Sequence, residues 1–118
     1  MIVAIVGSRN YPHLQRVRDY VASLPEDTII VSGGAPGVDR VAVEEATKQG
    51  LKTVVYFADW DRYGKKAGFL RNTTIVEECE KLVAFWDEES RGTKDSIVKA
   101  VDKRKKVEIC GVKGEWLP

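Results

Sequence analysis

The chain has 118 residues, 43% hydrophobic and 31% charged, a balance that fits one ordinary soluble globular domain and excludes a disordered tail or a collagen. Nineteen basic against 18 acidic residues leave a net charge of +1 with His13 neutral, which argues against a dedicated bulk nucleic-acid binder. No apolar run approaches the ~20 residues that span a bilayer, so no membrane segment is expected.

The opening MIVAIVGSRN lacks a basic leader and reads as a strand, Ile2 to Val6, rather than a signal peptide. That strand is apolar throughout, as expected in the middle of a covered parallel sheet. Leu14, Val17, Val21 and Leu24 recur at helical spacing until Pro25 stops the helix. Thr28 to Val31 form a second buried strand, running into Ser32-Gly33-Gly34. Val38, Val41, Ala42 and Ala46 mark the next helix, closed by Gly50. Thr53 to Phe57 give a third strand, and the polar stretch from Asp59 to Lys66 is the longest connection. Phe69, Thr73, Val76 and Cys79 predict a third helix, and Leu82 to Trp86 a fourth strand. A loop over 87–92 precedes a fourth helix through Ile97, Val98 and Val101. Val107 to Cys110 make the last strand, followed by a short tail over 111–118.

Strict strand–helix alternation predicts an α/β fold with a five-stranded parallel sheet and helices on both faces, as a single domain over 1–118. In such a sheet ligands bind outside the carboxyl ends of the strands, where the strand order reverses. Two cysteines outside any CxxC pair and one distant histidine do not make a zinc site, so no metal or cofactor is expected. Cys79 and Cys110 read as buried, reduced thiols of a cytoplasmic protein. His13, beside a helix start, reads as a surface or cap residue.

The strand ends carry Gly7-Ser8-Arg9, then Ser32-Gly33-Gly34-Ala35-Pro36-Gly37-Val38-Asp39, then Asp59-Trp60, then Ser90-Arg91-Gly92-Thr93. Three of these turns set glycine beside a small hydroxyl residue and open a helix, which leaves N–H groups at the positive helix end for a phosphate. Any one of them needs glycine for its geometry alone; several on one sheet edge point to a ligand. Neither a Walker sequence nor GxGxxG is present. Arg9, Arg71 and Arg91 could add guanidinium forks to an anion site, whereas Arg40 is expected to pair with a neighbouring aspartate among Asp39, Asp59 and Asp87. Trp60, Tyr63 or Trp86 could offer a flat face to a base. The run Lys103 to Lys106 reads as cations complementing a helix C-terminus.

These segments, with Ala58 to Gly64, Gly68, Arg71-Asn72 and Ala84-Phe85-Trp86, resemble the YspA-type (cpYpsA-related) branch of the SLOG superfamily, from Met1 to about Cys110. The superfamily is distantly similar to the Lonely guy phosphoribohydrolases and to the DNA-processing protein DprA. The resemblance implies a Rossmann-like three-layer sandwich that binds a nucleotide or nucleotide-derived ligand, a nucleoside phosphate or an ADP-ribose-like molecule, as a sensor or processing domain. On the residues quoted, the expected ligand-binding set is Gly7, Ser8, Arg9, Gly33, Gly34, Ala35, Gly37, Asp39, Asp59, Trp60, Arg71, Asn72, Ser90, Gly92 and Thr93. The phosphoribohydrolases carry GGxGTxxE; here Gly92-Thr93 matches the GT step, but Ser96 stands where the glutamate would. Serine does not ionise near neutral pH, so a hydrolase of the N-glycosidic bond, the alternative reading, needs another carboxylate such as Asp39, Asp59 or Asp95. No catalytic residue is assigned. Single-stranded DNA binding, as in DprA, is a weaker alternative, with nucleic acid otherwise an unfavoured partner. A homodimer or higher homo-oligomer is expected.

Overall fold

The computed structural model describes residues 1–118. Five strands, β1 (Ile2–Gly7), β2 (Ile29–Ser32), β3 (Lys52–Val55), β4 (Lys81–Phe85) and β5 (Lys106–Cys110), form one parallel sheet in the order β3-β2-β1-β4-β5. The connections are α1 (Leu14–Ala22), α2 (Val38–Lys48), the one-turn α3 (Trp60–Tyr63) running through a 3-10 turn into α4 (Ala67–Glu78), and α5 (Arg91–Asp102). The expected α/β Rossmann-like architecture is therefore the observed one.

The apolar run of β1 splits by the strand period of two. Val3 and Ile5 enter a core with Val17 and Val21 of α1 and Val38, Val41, Ala42 and Ala46 of α2. Ala4 and Val6 enter a second core with Ile75 and Val76 of α4 and Ala100 of α5. Each fully buried valine, leucine or isoleucine contributes roughly 1.5–3 kcal/mol relative to exposure. The first two crossovers thus cover one face. The chain then returns from β3 to the far side of β1, and its last two crossovers cover the other. The strand order reverses between β1 and β4.

Three local expectations are corrected. The third strand stops at Val55 rather than Phe57: Tyr56 N–H still donates to Ser32 O, but Phe57 is 75% exposed as the chain turns toward α3. The polar stretch after it is not plain loop, because the Asp59 carboxylate caps α3 by accepting from Arg62 N–H. His13 occupies the N-cap position of α1 without capping it; its ring bonds Val112 O at 2.9 Å and so pins the tail. That tail folds back, with Trp116 bridging to Cys110 and packing against Phe85 and Tyr20. Both cysteines are buried and free. No helix is long and apolar enough to cross a membrane.

Two glycines let the turns after β1 and β2 close on the core. A Cβ on Gly37, at φ 87°, would overlap the Arg9 carbonyl, and one on Gly7 would lie 2.5 Å from the Val38 side chain. Gly7→Ala is expected to cost about 1–3 kcal/mol through overpacking and to lower the melting temperature by several degrees. Gly92→Ala, where a Cβ meets nothing within 4 Å, should melt within a degree or so of the parent; comparison of the two melting curves checks both.

Candidate functional site

A cleft of about 370 Å³ opens at the strand ends where the order reverses. Its walls come from Gly7 and Arg9 after β1, Ala35 and Asp39 after β2, and Trp60 at the start of α3. Arg71 and Asn72 of α4 and Ser90, Gly92 and Thr93 at the start of α5 complete the expected residues that it gathers. Residues not expected there also line it, chiefly Lys65, Phe69, Asp87 and Ser96. Phe69 shows only an apolar helix period in the sequence. Lys65 lies in a polar stretch whose fold is set by α3, so neither carried a distinguishing signal.

Five expected residues lie outside the cleft. Ser8 is buried; its hydroxyl accepts from Asp87 N–H at 3.1 Å and its N–H donates to Phe85 O at 3.1 Å, so it stitches β1 to β4 instead of gripping a ligand. Gly33 lies beneath the Arg71 guanidinium, and Gly34 packs against Phe57. Gly37 is committed to the close approach on Arg9. Asp59 lines a neighbouring cavity of about 280 Å³ with Phe57, Tyr63, Leu70 and Arg71. Trp86 is half-buried and donates its ring N–H to Ser90 O at 3.0 Å, bracing the loop before α5. Of the aromatics expected to face a base, Trp60, 53% exposed, lines the main cleft, with Phe69 beside it.

The turns do not offer their amides equally. After β2, Gly34 N–H donates to Ser32 Oγ and Ala35 N–H to Asp39 Oδ2, so these two amides are satisfied from within. Before α5, Asp87 Oδ1 accepts from Glu89 and Ser90 N–H, and Ser90 Oγ accepts from Thr93 N–H as N-cap. The N–H groups of Arg91 and Gly92 have no protein partner and sit at the positive end of a 12-residue helix. Gly7 and Gly92 thus share one cleft, whereas Gly33, Gly34 and Gly37 lie outside its lining.

Arg71 and Asn72 organise the floor. Arg71 Nη1 donates to Gly33 O at 2.6 Å and Tyr56 O at 3.4 Å, and its Nε donates to Asn72 Oδ1 at 3.0 Å. Asn72 Nδ2 donates to Gly92 O at 3.1 Å and Asp95 Oδ2 at 3.2 Å, and Lys99 pairs with the same Asp95 oxygen at 2.8 Å. Burial lowers the Arg71 pKa, opposed by the Asp39 charge and assisted by Arg9. The expected arginine–aspartate ion pairs do not form: Arg40 is exposed, and every salt bridge uses lysine. Lys103 and Lys105 engage Glu77 on α4, in keeping with a structural role for that basic run.

Asp39 is 5% exposed, and its Oδ1 has no hydrogen-bond partner. Burial pushes its carboxyl up to about 6, against the Ala35 N–H, the Arg71 guanidinium and the amides of Gly33 and Gly7, which favour the charged form. Asp87 goes the other way: burial opposes ionisation, but the N–H groups of Ser90 and Glu89 and the Ser8 hydroxyl hold its carboxyl low.

Because the folded Asp39 binds its proton more tightly than the unfolded chain does, its cost to stability is fully present above about pH 6 and vanishes below its ordinary value of 3.8. Asp39→Asn should flatten the part of the stability curve between pH 4 and 6 that this group supplies, roughly 3 kcal/mol in full; urea titrations across that range measure it. Asn72→Ala strands Gly92 O and one side of Asp95, and is expected to cost about 1–3 kcal/mol in the same titration.

A family model described as YspA, cpYpsA-related SLOG family matches residues 1–63. The Gene 61 protein of Mycobacterium phage D29 is 33% identical over 108 residues, covering 83% of this chain and 86% of that protein. DNA processing protein A (DprA) from Streptococcus pneumoniae superposes with a TM-score of 0.80 at 22% identity, over 91% of this chain and 49% of that one. DprA from Helicobacter pylori, described as having a unique single-stranded DNA binding mode, gives 0.71 at 21% identity, over 92% and 64%. The chain therefore spans 49% and 64% of the two DprA chains it resembles, and at these identities the likeness is one of fold. The matched N-terminal half and the phage relative together establish that the chain belongs to the YspA, cpYpsA-related SLOG family.

Proposed function

We propose that this cleft binds a nucleotide or nucleotide-derived ligand, and that the chain acts over 1–118 as one sensor or processing unit in the cytoplasm. The observation that carries the reading is the meeting of three features in one cleft. These are the unpartnered amide of Gly92 at the start of α5, the side chains of Arg9 and Lys65, and the exposed ring of Trp60 beside Phe69. A phosphate suits the first two and a base the third.

Hydrolysis of the N-glycosidic bond draws less support. Ser96 is buried, Asp95 is held by Lys99 and Asn72, Asp87 is held by two amides, Asp59 faces the neighbouring cavity, and Asp39, the candidate carboxylate that does line the cleft, is 5% exposed and bonded by Ala35 N–H. A second reading, single-stranded nucleic acid along the rim, is favoured by the exposed Trp60, Arg62, Tyr63, Lys65, Lys66 and Phe69, which interleave aromatic and basic groups. The exposed Phe69, Leu70, Val98 and Val101 of α4 and α5 offer a face for the proposed homo-oligomer.

Nucleoside phosphates are expected to raise the melting temperature in proportion to RT ln(1 + [L]/Kd), with no free base released on chromatography. A nucleotide panel without any shift at millimolar concentration defeats the reading, and base release would turn it toward the hydrolase. Tight oligonucleotide binding that falls steeply with salt would favour the rim instead. Arg9→Ala should weaken a phosphorylated ligand roughly tenfold to a hundredfold, the loss of one charge-assisted contact, and leave the free nucleoside within about twofold. Equal weakening of both would remove Arg9 from the phosphate.

A further inference from the structure

We propose that the Asp39 carboxylate is a built-in occupant of the amide cluster between the β1 and β2 turns, and that it restricts the cleft to ligands carrying a single phosphate. The inference rests on the nucleotide reading above and narrows its ligand class.

A turn rich in glycine at a strand end ordinarily presents its N–H groups to an external anion. Here the second such turn already holds one. Asp39 Oδ2 accepts from Ala35 N–H at 3.3 Å, and the amides of Gly33 and Gly7 favour the charge on the same group. A Cβ on Gly33 would lie 2.5 Å from Arg71 Nη1 and 3.0 Å from Asp39 Oδ2, so guanidinium and carboxylate flank one backbone position. The Arg71 guanidinium is in large part committed: Nη1 donates to Gly33 O and Tyr56 O and Nε to Asn72 Oδ1, which leaves only the Nη2 donors.

The carboxylate is also under-neutralised. Its Oδ1 is sealed in the cleft wall without a donor, so negative charge persists where a β- or γ-phosphate would approach. Asp87 adds a second carboxylate to the lining. Against these two carboxylates, the cationic groups left for a ligand are Arg9, Lys65 and the Nη2 side of Arg71, beside the open Gly92 amide of α5. That set complements one phosphate and repels a chain of them.

The test is calorimetric titration of the full chain at pH 7.5 with two series: inorganic phosphate, pyrophosphate and tripolyphosphate, and the 5′-mono-, di- and triphosphates of each common ribonucleoside. Within each series the single phosphate is expected to bind at least tenfold tighter than the triphosphate. Asp39→Ala, which vacates the amide cluster, is expected to raise pyrophosphate affinity at least tenfold and to erase the order. A triphosphate that binds the parent chain as tightly as the monophosphate overturns the proposal, and so does a folded Asp39→Ala with the order unchanged. If that variant does not fold, the parent series decides alone. Nucleotides that bind without the preference sink this inference but leave the nucleotide reading standing. A preference in the inorganic series with no nucleotide bound does the reverse, and silence from every anion removes both.

Discussion

Two adjacent side chains of α4, Arg71 and Asn72, hold together the point where the strand order reverses. A parallel sheet ends its strands with carbonyl oxygens directed toward the ligand side, and each buried one needs a donor. Arg71 supplies Gly33 O after β2 and Tyr56 O after β3, and Asn72 supplies Gly92 O at the start of α5. One turn of one helix therefore ties the loops from one half of the sheet to the helix that follows the other half. The guanidinium is half-buried, which disfavours its charge, and Asp39 offsets that cost from α2. Removing any member of this chain leaves a buried polar group without its partner, a larger loss than the bond itself.

The same network separates the residues that build the cleft from those that can meet a ligand. Ser8, Asn72, Ser90 and Asp87 use their polar atoms within the protein. The exposed side chains of Arg9, Lys65 and Trp60 make no hydrogen bond or ion pair within the protein and, with the Gly92 amide, keep their own binding capacity. The frame of the cleft is tied down before any ligand arrives, and the side chains left for a ligand to immobilise are the exposed Arg9, Lys65 and Trp60. It also differs from the phosphoribohydrolase pattern at the position that matters for chemistry. Ser96 closes the floor beneath α5, and the neighbouring carboxylate of Asp95 is neutralised by Lys99.

Glycine was a good guide to where the turns lie and a poor guide to what each one does. Gly7 and Gly37 are required by close packing on Val38 and on the Arg9 carbonyl, whereas Gly92 meets nothing and leaves open space at a helix start. All three look alike in the sequence, each a glycine in a strand-to-helix turn. Ser8 misleads for a similar reason: a serine after a strand can face a ligand or the next strand, and β4 lies on the side that takes it.

Local pattern was sufficient for the elements themselves. The apolar runs at Ile2, Ile29 and Leu82, the helical spacing from Val17 and Val38, and the stops at Pro25 and Gly50 depend on neighbours in sequence, and so they located five strands and their main crossovers. Even the failure at Phe57 is local in kind, since an apolar residue continues a strand pattern whether or not its backbone stays in the sheet. The order β3-β2-β1-β4-β5 is different. It depends on which way each crossover turns, and nothing in the spacing of apolar residues records that choice. Only the folded chain sets β1 against β4, brings Gly7 to Gly92, and lays Arg71 over Gly33. Those contacts join residues far apart in sequence, through forces that act only once the sheet has assembled.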